Sequence, residues 1–244
     1  MIMQHALFGL IRNSLILGCL LLAAFAVNVH ANQQANQQAN QQADQQVGQK
    51  VGQQVGQQVG QQNMLVLGDS ISAAYGMSLQ QGWVAQLSDE LREQYPALNI
   101  VNASISGETT AGGLRRLPAL LAEHNPSVVI IELGANDGLR GYPLQTLRKN
   151  LTALTVMAQN NGAKVILVPM EIPPNYGSRY TAGFRDSFRE VAKETNSVLA
   201  PFLLDGVATN PALMQDDGLH PTVEAQPLML ANILPTVTAT LADQ

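Results

Sequence analysis

The stretch LVLGDSISAAYG, residues 65–76, decides how the rest of the chain is read. Four apolar residues, Met64, Leu65, Val66 and Leu67, run straight into Gly68-Asp69-Ser70. A continuous apolar run stopped by a glycine predicts a buried strand that ends in a tight loop. That loop presents Ser70, whose hydroxyl becomes a candidate nucleophile. A serine hydroxyl is a weak nucleophile, so the reading requires a base, an acid that orients the base, and oxyanion donors elsewhere in the chain.

Outward from this stretch, further apolar runs follow at residues 98–101, 128–133, 164–168 and 198–203, separated by segments long enough for helices. Leu144, Leu147, Leu151, Leu154 and Ala158 fall at helical spacing, with Pro143 at a first helical position and Asn161-Gly162 as a stop. Phe184, Phe188, Val191 and Thr195 repeat the spacing, as do Val84, Leu87 and Leu91. Pro118 interrupts the stripe of Leu114, Leu117 and Leu121, and Pro227 and Pro235 interrupt the last one, so kinks or breaks are expected there. Strands alternating with helices predict an α/β fold with a five-stranded parallel sheet covered on both faces. In such a sheet the binding crevice lies beyond the carboxyl ends of the strands.

Four motifs fall on that rim: Gly68-Asp69-Ser70, NASISGET with Gly107, GANDG with Asn136 and Asp137, and DDGLHP with Asp217 and His220. His220 is the histidine placed to serve as base, since His5 and His30 lie in the leader and His124 follows a helix in LAEHNP. Asp217, three residues earlier in a turn containing Gly218, can reach Nδ1 and leave Nε2 facing Ser70. Asp216 is read as its solvated neighbour. A lone Asp-x-x-His lacks the neighbouring third ligand expected of a metal site. The candidate oxyanion donors are the N–H groups of Ser70 and Gly107 and the side-chain amide of Asn136. Asp69 adjoins the serine too closely to hold an imidazole between them, and is expected to brace the loop by accepting backbone N–H bonds. Ser72, Ser104 and Ser106 compete as nucleophiles, but none ends a strand as Ser70 does, and no Gly-x-Ser-x-Gly elbow occurs. The segment Gly138, Leu139, Arg140, Gly141, Tyr142 and Pro143 is either a substrate-binding loop that closes over an acyl chain or a plain surface loop. EIPPNYGSRY, after the fourth strand, offers another wall.

With these motifs in this order, the chain resembles the SGNH (GDSL) hydrolases, most closely their periplasmic thioesterase, lysophospholipase and arylesterase branch. The resemblance covers nearly everything from Met64 to Leu241. It implies a flavodoxin-like three-layer α/β/α sandwich, Ser70, Asp217 and His220 as a catalytic triad, and hydrolysis of fatty acyl esters and thioesters without metal or cofactor. In that branch the second block usually reads Ser-Gly-Asp and the third Gly-Gly-Asn-Asp; here they are Gly107-Glu108 and Gly134-Ala135-Asn136-Asp137. Both changes leave the candidate donors in place. The alternatives are a carbohydrate O-deacetylase and, in another class, a secreted binding protein whose hydrolase domain is inert.

The front of the chain is of another kind. Arg12 precedes an apolar run, residues 14–27, shorter than the ~20 residues of a spanning helix, and Val29-His30-Ala31 is a small-x-small cleavage pattern. Residues 1–31 therefore read as a signal peptide cleaved after Ala31 or Ala26, which predicts a periplasmic or secreted protein with no membrane span after cleavage. From Ala31 the chain runs through eight tetrapeptides, from Ala-Asn-Gln-Gln to Val-Gly-Gln-Gln, and residues 32–62 read as a disordered linker too polar to offset its ordering entropy. Residues 63–244 form the hydrolase domain, a length that buries roughly 70% of the unfolded surface. The front carries Arg12, Lys50 and Asp44, so without it the formal charge moves from −5 to −6. With no basic stripe, nucleic acid is not an expected partner; the partner is a small acyl ester or thioester, and the protein a monomer. The single cysteine, Cys19, lies in the leader, which leaves a mature protein without thiol chemistry.

Overall fold

Met64, Leu65, Val66 and Leu67 are wholly buried because β1 (Gln62–Gly68) is an interior strand of a five-stranded parallel sheet. The computed structural model describes residues 62–243. The proposed signal peptide and all but the last residue of the proposed linker lie outside them. β1 pairs on one side with β2 (Leu98–Asn102) and on the other with β3 (Val128–Glu132), Met64 standing beside both Ile100 and Val128. β4 (Lys164–Leu167) and β5 (Val198–Leu199) complete the order β2-β1-β3-β4-β5. This is the flavodoxin-like order, which reverses direction between β1 and β3 and opens a crevice there.

The helices follow from the handedness of the connections. α1 (Trp83–Leu91) crosses from β1 to β2, whereas α2 (Thr110–His124), α4 (Leu144–Asn160) and α5 (Ser178–Thr195) serve crossovers in the opposite direction. Right-handed crossovers therefore place α1 on one face and the other three on the opposite face. The packing agrees: α4 lies between α2 and α5, and α1 packs on α6 (Gln226–Ala242). Gln226 Oε1 accepts the Trp83 N–H at 2.9 Å, so the start of α6 satisfies the otherwise unpaired start of α1. The short α3 (Ala135–Leu139) follows β3 directly.

Several local expectations change. Residues 110–124 and 226–242 are single helices despite their prolines. Pro227 lies in the first turn, where no N–H is needed, and Pro118 and Pro235 are exposed, so water can serve the carbonyls they leave free. Pro143 caps α4 from outside, and the helix begins at Leu144. The fifth strand ends at Leu199, not at residue 203, because Pro201 has no N–H for the ladder. β1 begins within the repeats: Gln62, the last residue of the final repeat, already pairs with Leu98.

Candidate active site

Ser70 stands where β1 stops at the switch point. A Cβ at Gly68 would lie 2.6 Å from Glu132 Oε2 and 2.7 Å from Ser72 Cβ, so only glycine lets the strand end pass this close to β3. The chain then makes one helical turn, with Ala73 N–H donating to the Asp69 carbonyl at 2.9 Å, and Ser70 is left at its edge, 9% exposed.

His220 arrives from the segment before α6. There the backbone doubles back: Thr222 N–H donates to the Leu213 carbonyl at 2.8 Å, and Gly218 takes a left-handed φ of +65°. Ser70 Oγ and His220 Nε2 are 2.8 Å apart, and His220 Nδ1 is 2.6 Å from Asp217 Oδ2. Asp217 Oδ1 accepts the N–H groups of Leu219 and His220 at 2.9 and 3.0 Å. Slight desolvation acts upward on this carboxyl, but the bonds from the His220 ring and the two N–H groups outweigh it and hold its pKa at about 2. An ionised carboxylate only accepts, so Nδ1 carries the hydrogen and Nε2 is free to receive the Ser70 proton. The expected orienting acid is present, though it is half-exposed, not buried. Asp216 is exposed, the carboxylate bonded to the His220 ring being that of Asp217, and the Tyr75 ring lies against the imidazole with centroids 4.3 Å apart.

The three candidate oxyanion donors come from different strand ends. Gly107 has φ +77°, and only Arg140 Nη2, 3.9 Å away, would meet a Cβ there, so backbone conformation rather than crowding calls for glycine. Asn136 lies in α3, entered through Gly134 at φ +125°. Ser70, Gly107 and Asn136 all line one cleft, and the N–H groups of Ser70 and Gly107 make no hydrogen bond among the described residues.

Asp69 does brace the loop, accepting the Ile71 N–H at 3.1 Å, but it also accepts Asn136 Nδ2 at 3.1 Å. Below it sits Glu132, fully buried inside what reads in sequence as an apolar run. Glu132 Oε2 accepts the Asp69 N–H at 3.2 Å and the Ser72 hydroxyl at 2.6 Å, which occupies that competing serine. Burial first, and the neighbouring Asp69 charge second, push Glu132 well above the usual carboxylate range. Burial likewise raises Asp69 to about 6, against the pull of the Ile71 and Asn136 bonds. Asp137 takes both the N–H and the hydroxyl of Thr110, at 2.9 and 2.6 Å, and so ties the start of α2 to α3.

The cleft has a volume of about 260 Å³ and apolar walls that include Ile71, Tyr75, Leu139, Met170, Pro173 and Leu219. Of the segment 138–143, only Leu139 lines it, and Gly138 and Leu139 belong to α3 rather than to a loop. The end of α3 and the residues after it are fastened: Tyr176 OH donates to the Leu139 carbonyl at 2.8 Å, Tyr180 OH to that of Tyr142 at 2.7 Å, and Arg140 Nη2 to that of Gly107 at 3.1 Å. The wall expected from residues 171–180 is supplied by Glu171 and Pro173. Among the described residues no cluster of three His, Cys, Asp or Glu side chains could hold a metal.

Comparison with known proteins fits this geometry. Residues 66–227 match the GDSL-like Lipase/Acylhydrolase family. The chain belongs to that family. This GDSL family member is 50% identical over 176 residues to the Esterase TesA of Pseudomonas aeruginosa, covering 72% of this chain and 88% of the relative. It is 43% identical over 166 residues to the thioesterase 1/protease 1/lysophospholipase L1 of Escherichia coli K12, covering 68% and 78%. The crystal structure of the psychrotrophic esterase EstA from Pseudoalteromonas, inhibited by monoethylphosphonate, superposes with a TM-score of 0.71 at 44% identity, covering 74% of this chain and 98% of that one. Within the GDSL family member, sequence motifs pointed to Ser70, Gly107, Asn136, Asp217 and His220. They gave no signal for Tyr75, and for Glu132 only the oddity of a carboxylate in an apolar strand.

Proposed function

We propose that the chain is a serine hydrolase of fatty acyl esters and thioesters, with thioesterase, lysophospholipase and arylesterase activities. The observation that carries this reading is the contact between Ser70 Oγ and His220 Nε2 beside an apolar cleft. Ser70 Oγ attacks the acyl carbonyl as Nε2 takes its proton, and Asp217 stabilises the imidazolium. The N–H groups of Ser70 and Gly107 and Asn136 Nδ2 hold the oxyanion, each donor contributing about 3 kcal/mol. Collapse returns the Nε2 proton to the departing alcohol or thiol. Water, deprotonated by Nε2, then attacks the acyl-Ser70 ester and regenerates the hydroxyl.

The relatives named for esterase, thioesterase and lysophospholipase activity support the same substrate class. The deciding experiment is a panel of p-nitrophenyl esters from C2 to C12 with palmitoyl-CoA, run on wild type and Ser70→Ala. Turnover of longer acyl chains that is abolished in Ser70→Ala is expected; activity confined to acetyl would favour a carbohydrate O-deacetylase.

We further propose export through the first 31 residues, with the repeats as a passive spacer between that signal and a periplasmic or secreted hydrolase domain, residues 63–244. Mass spectrometry of the mature N-terminus tests the export, and kinetics unchanged on deletion of the repeats tests the spacer. No helix among the described residues is long and apolar enough to cross a membrane.

A further inference from the structure

Gln215 lies outside the four motifs, yet it donates three hydrogen bonds at the seam between the loops that carry Ser70 and His220. Its backbone N–H donates to the His220 carbonyl at 2.7 Å. Its side-chain Nε2 donates to two more carbonyls, that of Pro221 at 2.8 Å and that of Tyr75 at 2.9 Å. The first two bonds close the His220 loop on itself. The third crosses 140 residues of sequence to the segment that starts with Ser70. A primary amide nitrogen has two hydrogens, and here each is spent on a carbonyl of a different loop.

Two neighbouring features make this bridge specific. A Cβ at Gly76, which has φ +78°, would fall 2.5 Å from Gln215 Oε1, so the space for the amide exists because that position has no side chain. The carbonyl Gln215 holds belongs to the residue whose ring lies on the His220 imidazole. Gln215 thus fixes the histidine twice, through the carbonyls of His220 and the following Pro221 and through the aromatic surface that limits its rotation.

We propose that Gln215 is a positioning residue that sets the separation of Ser70 and His220 by pinning one loop to the other. The proposal rests on the reading of Ser70 and His220 as nucleophile and base. Gln215 touches no reacting atom; it acts through Tyr75 and through the His220 backbone.

The test compares wild type with Gln215→Met, which keeps the length of the side chain but has no donor, and with Gln215→Ala. Steady-state hydrolysis of p-nitrophenyl butyrate, the rate of fluorophosphonate labelling and the thermal midpoint are measured on each. A misplacement of reacting groups costs on the order of 100-fold, so kcat and the labelling rate of Gln215→Met should fall by about that factor. KM should stay within about two-fold, because substrate contacts are untouched. Tyr75→Ala should also lower kcat, and the double variant Tyr75→Ala, Gln215→Met should lose no more than the larger single effect, since both act on one histidine. A Gln215→Met protein with wild-type kcat, a loss confined to KM, or additive losses in the double variant overturns the proposal. A wild-type protein that fluorophosphonate leaves unlabelled overturns the functional reading itself; a labelled wild type beside an equally fast Gln215→Met overturns this proposal alone.

Discussion

Asp69 Oδ2 accepts a hydrogen bond from Asn136 Nδ2 at 3.1 Å, and this bond determines which end of the Asn136 amide is available to the cleft. A carboxylate accepts and cannot donate, so the NH2 end must face it. One amide hydrogen is taken by Asp69, and the second is the one the proposed mechanism offers to the oxyanion.

Replacing Asn136 by alanine should therefore lower kcat by about 100- to 1000-fold. Asp69→Ala should lower kcat by a smaller factor, roughly 10- to 100-fold, with little change in KM, because an oxyanion donor acts in the transition state. Steady-state kinetics on both variants and on the pair check the route: the pair should lose no more than Asn136→Ala alone. Near-normal turnover in Asn136→Ala would remove Asn136 from the oxyanion site.

Asp217 stays ionised across any practical assay range. Its folded pKa, about 2, lies below the ordinary 3.8, so the stability it contributes is present above that value and is lost as pH falls through about 2. The acidic limb of the activity profile should accordingly survive in Asp217→Ala. That variant should lose on the order of 100-fold or more in kcat but less than Ser70→Ala, since its half-exposed site admits water as a partial substitute. A pH–rate profile of both variants checks this.

Glu132 and Asp69 titrate in the opposite sense. Both hold their protons more tightly folded than unfolded, so their burial favours the native state at low pH and opposes it as pH rises through and beyond about 4 to 6. Glu132→Gln stays neutral at every pH and can still accept the Ser72 hydroxyl. Urea denaturation should show the variant at least as stable as wild type at about pH 8 and a flatter pH dependence between about pH 5 and 8. A variant markedly less stable at pH 8 would mean that Glu132 is charged.

Tyr176 and Tyr180 hold the segment after α3 by single hydroxyl bonds. Each is worth about 1 kcal/mol, close to a five-fold change in an equilibrium. Tyr176→Phe with Tyr180→Phe should raise hydrogen exchange at residues 140–142 and shift KM for C8 to C12 esters more than for C2. Equal effects at every chain length would make the segment a surface loop with no part in acyl binding.

Legibility in the sequence followed the range of the interaction. The central strands announce themselves because burial on both faces demands unbroken apolar runs, and Ser70, Gly107, Asn136 and Asp217-x-x-His220 show because each motif is local. Residues whose work depends on a distant partner left little trace. Gln215 looks like any polar residue before a turn until Tyr75 is seen beside it, and Asp69 reveals its second role only when Asn136 arrives from β3. The edge strand β5 was overestimated because apolarity alone does not show that Pro201 ends the ladder. The helices through Pro118 and Pro235 were doubted for a related reason: spacing shows a missing N–H but not the solvent that replaces it.

The junction at Gln62 has a bearing on how the chain can vary. The residue that opens β1 is the last of a Val-Gly-Gln-Gln unit repeated three times in succession. Gain or loss of one such unit changes the chain by four residues yet delivers the same glutamine to the start of β1. Copy number is in this way uncoupled from strand register, and the reach of the segment can drift between descendants of this gene without a compensating change in the enzyme behind it.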